Sequence, residues 1–228
     1  MTSKTSKIRW QLSAALAAFL ALNASSATIF DNTTSDLLTR LNPGTREIGD
    51  QIVFDGTERF ITSFAFEYYG TNTANPLAFA GANVEARVRF YENNGVLFNG
   101  YATPGTSLYD SGWFSVGSPT ERSTFVFSAG SDWASTGLLL PVSELTWSVQ
   151  FQGLGATDEL GVDLYGPATI GLNYSDYWEN IAGNWSLMTN ASPVNFAAKF
   201  EATVPEPSSL ALFALGGLGL LCSRMRKS

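Results

Sequence analysis

The 228-residue chain is 45% hydrophobic and 13% aromatic, and it carries a formal net charge of −7. Because it contains no histidine, the sequence excludes Ser-His-Asp and Cys-His catalytic sites and histidine-ligated zinc. It also lacks a Walker sequence and a dinucleotide-binding fingerprint, so no nucleotide-dependent enzyme is indicated.

Residues 1–27 have the pattern of a secretory signal peptide. Three basic residues come first: Lys4, Lys7 and Arg9. An apolar stretch of 11 residues, 12–22, follows them and is too short to remain as a membrane anchor. Small side chains at Ser25 and Ala27 suit a signal peptidase. We therefore expect export through the Sec translocon and cleavage between Ala27 and Thr28.

The body that follows, residues 28–203, is acidic and long enough to form one domain. It contains 19 acidic and seven basic residues, which leaves a net charge of −12. Nucleic acid and anionic membrane surfaces are therefore poor partners for it. The only cysteine, Cys222, lies outside the body, so we expect the hydrophobic core alone to stabilise this domain.

Alternating apolar and polar residues predict β-strands through most of the body. In chain order, the predicted strands are 28–30, 51–54, 60–69, 84–91, 107–116, 124–127, 145–152, 161–165, 169–174 and 195–201. Gly, Pro and Asn residues separate them, as is typical of turns. Only 36–38 and 185–188 are interpreted as helical turns. The pattern predicts an all-β fold, an antiparallel β-sandwich of jelly-roll type, with a barrel as the alternative.

One polar, glycine-punctuated stretch of the body is rich in aromatic residues. Its aromatic side chains are Tyr174, Tyr177, Trp178 and Trp185. Aromatic faces beside amide and carboxylate groups suit a saccharide, because sugars stack on rings and hydrogen-bond through their hydroxyls. The alternative is that these rings fill the core.

The acidic residues of the body offer candidates for a metal site and for catalysis. Asp158, Glu159 and Asp163 are close in sequence and are candidate ligands for a structural Ca²⁺, although no EF-hand spacing is present. No other cofactor is indicated. A glycosidase needs two carboxylates at a defined separation, and no pair among the 19 acids stands out. We therefore expect a protein that is not an enzyme.

The last segment, residues 204–228, combines three features in a fixed order. Residues 204–209 read Val-Pro-Glu-Pro-Ser-Ser, and the two prolines favour an extended backbone. An apolar helix is predicted over 210–222, whose 13 residues fall short of the roughly 20 that span a bilayer comfortably. A basic end, 223–228, follows. A plain membrane anchor and a buried core helix are the alternatives to a sorting signal.

This order of features resembles the PEP-CTERM protein-sorting signal of Gram-negative bacteria. On that resemblance, the recognition motif is Pro205, Glu206 and Pro207. The positive residues that stay in the cytoplasm are Arg224, Arg226 and Lys227. The resemblance implies processing by exosortase, an integral-membrane cysteine-dependent transpeptidase, after an intermediate held in the inner membrane.

The resemblance also implies delivery to the outer surface or extracellular matrix of a Gram-negative bacterium that produces exopolysaccharide. We therefore expect a non-catalytic surface or matrix protein associated with exopolysaccharide or biofilm. A carbohydrate-binding module and a glycan-active hydrolase are the alternatives. The expected organisation is a signal peptide (1–27), a β-sandwich body (28–203) and a sorting signal (204–228).

Overall fold

The computed structural model describes residues 26–190 and 193–203. The charged and apolar parts of the predicted signal peptide, and the whole sorting segment 204–228, lie outside the described residues. Within those residues, no helix is long and apolar enough to span a membrane. By itself, Ser26–Thr203 forms one compact unit.

The described residues form 18 β-strands. In chain order they are β1 (Ala27–Asp31), β2 (Asp36–Leu41), β3 (Glu47–Val53), β4 (Phe60–Asn72), β5 (Glu85–Tyr91), β6 (Leu97–Phe98), β7 (Tyr101–Ala102), β8 (Ser107–Asp110), β9 (Phe114–Ser115), β10 (Thr120–Ser128), β11 (Leu138–Leu139), β12 (Glu144–Gln152), β13 (Asp158–Tyr165), β14 (Leu172–Asn173), β15 (Tyr177–Ile181), β16 (Asn184–Met188), β17 (Asn195–Phe196) and β18 (Ala198–Thr203).

Two antiparallel sheets contain all of these strands except one short hairpin. Sheet A has the order β1-β18-β4-β13-β17, with β10 and β11 also paired to β4 and β2 paired to β13. Sheet B has the order β16-β15-β3-β12-β5-β8, with β14 paired to β3 and β9 paired to β5. The hairpin is β6-β7. The prediction of an antiparallel β-sandwich is confirmed, and the alternative of a single barrel is not.

The core lies between the two sheets and is dominated by aromatic rings. In sheet A, the rings of Phe64 and Phe200 approach to 4.5 Å between centroids. Phe64 also packs edge-to-face across the sandwich on Phe90 and Trp147 of sheet B, at 5.0 and 5.4 Å. The strict alternation predicted for 84–91 and 145–152 places these sheet B rings inward. Burial of such large apolar surfaces is the main stabilising contribution to a domain without disulfides.

A β-bulge in β4 changes which of its side chains face the core. Phe64, Phe66 and Tyr68 alternate into the core, but Ile61, which a strict alternation would place on the opposite face, is also fully buried. Opposite β18, Glu201 pairs with Ser63 while the next residue pairs with Ile61, so Thr62 is the extra residue. The extra residue reverses the alternation and turns Ile61 inward.

Two segments interpreted as helical turns are edge strands. Residues 36–38 begin β2, which pairs with β13, and residues 185–188 belong to β16, which pairs with β15. Leu38 is 89% exposed, so its apolar side chain takes no part in the core. The backbone hydrogen bonds that a neighbouring strand offers override the local preference. Residues 107–116, expected as one strand, form two short strands, β8 and β9.

Strand β18 has partners on both edges. Ala202 pairs with Ala27 of β1, and Thr203 pairs with Phe60 of β4. The first and last residues of the sandwich therefore lie at the same end of sheet A, on neighbouring strands.

Candidate functional site

The residues predicted to direct sorting lie beyond the end of β18. The motif Pro205, Glu206 and Pro207, and the basic end of the segment, are outside the described residues. The predicted signal-peptidase position lies at the start of β1, where Ala27 pairs with Ala202 and Thr28 with Glu201. Cleavage there stays a prediction.

The four aromatic side chains proposed to contact a saccharide do not form one open surface. Tyr177 is 6% exposed and packs inward on Phe196, with 5.9 Å between ring centroids. Trp178 is fully buried, and its indole Nε1 donates a hydrogen bond to Oε1 of Gln51 at 3.0 Å. The faces of these two rings are therefore closed to a sugar, and for Tyr177 the alternative of a core position is the correct one.

The other two aromatic side chains lie at separate places. Tyr174 is 48% exposed, and its hydroxyl donates a hydrogen bond to Oε1 of Glu144 at 3.1 Å. Trp185 is half-buried and packs edge-to-face on Tyr91, with 5.6 Å between ring centroids. Of the four rings, only these two have more than a small fraction of their surface exposed.

The three acidic residues proposed as Ca²⁺ ligands are engaged separately. The Asp158 carboxylate accepts hydrogen bonds from the backbone N–H groups of Ala80, Gly81 and Gly155, each at 2.8 Å. Burial raises the pKa of this carboxyl group, but the three hydrogen bonds outweigh that effect and lower its pKa below 3.8. Asp158 therefore joins two loops.

Asp163 lies on the outer face of sheet A, with its carboxylate 3.3 Å from Nε of Arg40. Burial raises the pKa of Asp163 from 3.8, and Arg40 opposes that shift. Glu159 is exposed beside Tyr69 and raises the pKa of that phenol, after burial itself. Among the described residues, no group of three or more acidic, histidine or cysteine side chains is placed to hold a metal ion. The structure does not bring the three candidates together as ligands.

A polar cluster on the outer face of sheet B was not predicted. The side chain of Glu47 is almost fully buried and receives hydrogen bonds from three other strands of sheet B. Its partners are Arg89 at 2.6 Å, Ser148 at 2.6 Å, Tyr91 at 3.1 Å and Asn180 at 3.3 Å. Burial and then the Glu47 charge raise the pKa of Tyr91 well above 10.0. Because its oxygens are already satisfied, Glu47 connects strands rather than presenting a reactive group.

The alternation of 84–91 and 145–152 placed Arg89, Tyr91 and Ser148 on a polar face. Glu47 was missed because β3 begins four residues before the predicted strand at 51–54. The signal for it was present: Glu47, Gly49 and Gln51 alternate with Ile48, Asp50 and Ile52.

A second unpredicted feature is a cleft between the edges of the two sheets, with a cavity volume of about 380 Å³. Edge strand β10 of sheet A forms one wall, and edge strands β8 and β9 of sheet B form the other. We call it the aromatic cleft. The residues that define it are Tyr109, Phe114, Phe125, Phe127 and Asp132.

The rings of the aromatic cleft contact one another across the gap between the sheets. Phe114 packs edge-to-face on Phe125 at 4.9 Å and on Phe127 at 5.5 Å. Trp133 packs against Tyr109 at 5.5 Å and lies parallel to Phe127 at 6.3 Å. Phe125 and Phe127 lie two residues apart, so both face the same side of β10. Their proximity to Tyr109 could not be predicted, because Tyr109 belongs to the other sheet.

Residues 203–227 match the model of one known family, the PEP-CTERM protein-sorting motif. No curated protein and no solved structure matches the chain. The matched range includes the Pro-Glu-Pro tripeptide and the three basic residues singled out from the sequence. The motif implies export and processing by an exosortase-type membrane enzyme. The chain thus joins an antiparallel β-sandwich to a PEP-CTERM protein-sorting motif at residues 203–227.

Proposed function

We propose that this is a non-catalytic surface or extracellular-matrix protein of a Gram-negative bacterium. An exosortase-type enzyme removes its sorting segment and delivers the β-sandwich to the outer surface, where the sandwich associates with exopolysaccharide. The observation that carries this proposal is the PEP-CTERM motif at residues 203–227.

The position of the motif suits processing of a folded substrate. The last ladder pair of β18 joins Thr203 to Phe60, and the matched range begins at Thr203. A cut after that residue removes no described strand pair. The sandwich therefore keeps both edges of β18 paired after the segment is removed.

The charges of the body support a binding or structural role. On the outer face of sheet A, Arg122 pairs with Asp36 and Glu67, both at 2.8 Å. Tyr165 donates a further hydrogen bond to Glu67 at 2.6 Å. Like Glu47 and Asp158, these carboxylates hold neighbouring segments together. General acid–base chemistry on a glycan needs a pair of carboxylates free to exchange protons with it.

Mass spectrometry of the C-terminus of the protein from its native host tests the sorting proposal. We expect the mature chain to end upstream of residue 210 and to lack the basic residues. A triple variant, P205A/E206A/P207A, should keep its full length and stay with the membrane fraction. Glu201→Gln, in β18 just before the motif, is the matched control and should be processed normally. An intact wild-type terminus at Ser228 contradicts the proposal and leaves a simple anchor.

The non-catalytic role is tested by incubating the protein with purified exopolysaccharide of its host and measuring the release of reducing ends. We expect no release above the background of a heat-denatured sample. Release that disappears on a single Asp→Asn or Glu→Gln substitution would instead establish a glycan-active hydrolase.

A further inference from the structure

We propose that the aromatic cleft binds an uncharged saccharide. This inference rests on the proposed association with exopolysaccharide and assigns it to a place different from the stretch 174–185. The cleft unites an opening between the sheets, aromatic rings on both walls and a carboxylate at its rim.

The opening exists because the two edge strands have no strand between them. Strand β10 pairs only with β4, and β8 only with β5, among the strands described. The cavity volume of about 380 Å³ lies within the roughly 300–1,000 Å³ typical of small-molecule sites. Asp132, which lines the cleft, is exposed, so the cleft opens to solvent.

The rings offer the apolar part of the site. Tyr109, Phe114 and Phe125 are each only partly buried, although each packs against the core. The C–H groups on one face of a pyranose stack on such rings, while its hydroxyls point outward. The cleft can therefore take a sugar ring without disturbing the core beneath it.

The polar groups at the rim suit hydroxyl groups. One oxygen of Asp132 accepts a hydrogen bond from the backbone N–H of Ser128 at 2.8 Å, which fixes the carboxylate. Its other oxygen retains acceptor positions for a ligand. Burial, followed by the charges of Asp132 and Asp110, raises the pKa of Tyr109 to about 12, so this hydroxyl remains a donor at neutral pH.

The charge of the cleft disfavours an anionic ligand. Asp132 is exposed at the rim and forms no ion pair with a basic side chain among the described residues. The whole body has a net charge of −12. A uronic acid or sulfated sugar would meet repulsion at this rim, whereas a neutral hexose would not.

Fluorescence titration of the full chain, purified in a detergent without a sugar headgroup, tests the inference. The probes are a neutral glucan hexasaccharide, a neutral mannan hexasaccharide and an anionic oligogalacturonate of equal length. We expect saturable binding of at least one neutral probe and none of the anionic one. Tyr109→Phe removes a hydroxyl donor, and Asp132→Asn replaces an acceptor oxygen with an NH2 donor, while both keep the shape of the side chain. Each should therefore weaken that binding about tenfold.

Tyr174→Phe and Asp176→Asn are the matched controls. They make the same chemical changes in the stretch 174–185 and should leave the affinity within twofold of the wild type. Melting temperatures equal to the wild type establish that all four variants are folded. Loss of binding only in the controls, or binding of the anionic probe alone, would overturn the inference. Displacement of the glucan by a β-strand peptide that pairs with β10 would also overturn it.

Sedimentation with exopolysaccharide from the host separates this inference from the proposed function. If the wild type sediments with the polysaccharide and the two cleft variants do so equally, the association stands and the cleft is not its site. If the wild type does not sediment with it, the association itself fails. Processing of the sorting segment is tested independently.

Discussion

Asp50 places a carboxyl group in the middle of the sandwich. It lies on β3 of sheet B and is fully buried, and one of its oxygens accepts a hydrogen bond from the backbone N–H of Phe196, in sheet A, at 3.0 Å. Its other oxygen has no partner among the described residues. Burial raises the pKa of Asp50 well above 3.8, although the hydrogen bond from Phe196 opposes the shift. A group chosen for packing alone would be apolar at this position.

The buried carboxyl group predicts a pH-dependent stability. Because the folded pKa is raised, the folded state binds more protons than the unfolded one above the unfolded pKa of about 3.9. The free energy of unfolding should therefore decrease as pH rises from there to the folded pKa. The slope contributed by this group is at most about 1.4 kcal/mol per pH unit.

Asp50→Asn keeps an oxygen for the Phe196 N–H and removes the titration, so it should flatten that slope. Urea unfolding at pH 4, 5, 6 and 7 measures the effect. Asp55→Asn, on an exposed loop, controls for the loss of one carboxyl group. A variant with the same slope as the wild type would show that Asp50 does not couple folding to pH.

At the scale of single elements, the sequence predicted the strands that have one apolar and one polar face. It missed the strands whose conformation depends on pairing with a distant strand. Strand β12 was predicted almost to the residue, because Leu145, Trp147, Val149 and Phe151 alternate strictly with polar side chains. Strands β2, β15 and β16 lie toward the edges, and their local patterns are ambiguous. Pairing with distant strands, such as β2 with β13, decides their conformation and is not encoded in the local pattern.

The pairing of β2 with β13 depends on a close backbone approach at Gly161. A Cβ atom added there would lie 2.0 Å from the carbonyl oxygen of Leu41, which cannot rotate away. Gly161→Ala should therefore push β2 off the sheet and lower the free energy of unfolding by about 1–3 kcal/mol. Hydrogen exchange of the backbone amides of residues 36–41 should become faster, and thermal unfolding should begin at a lower temperature.

Gly166→Ala is the matched control for this substitution. Its added Cβ would meet Cβ of Ser35 at 3.2 Å, a contact that a small shift relieves. We expect a smaller loss of stability and little change in the exchange of 36–41. Equal losses of stability in the two variants would mean that the close approach to Leu41 is not the reason why Gly161 cannot be replaced by alanine.

At the scale of the whole molecule, the two kinds of site differ in how far the sequence reveals them. The sorting motif is a linear signal, so Pro205, Glu206 and Pro207 could be identified from their order alone. The aromatic cleft is assembled from β8, β9, β10 and the loop after β10. Its residues come from both sheets, and only the packing of the sandwich brings Tyr109 close to Phe127. The spacing of these residues in the sequence does not predict their contact.

The order of strands in sheet A also defines a path for mechanical force. Strands β10, β4 and β18 are consecutive neighbours, so tension on a polymer held at β10 would pass through β4 to β18 and on to Thr203. At each of these strand pairs, the force would act along the strands on all of their backbone hydrogen bonds. Strand β18 is paired with β1 as well as with β4. When force acts along two paired strands, their backbone hydrogen bonds must break together. When a strand is pulled sideways from the edge of a sheet, these bonds break one at a time. If the protein is tethered through the segment after β18 and holds a polymer at β10, this arrangement would make the sandwich a stiff link between the two.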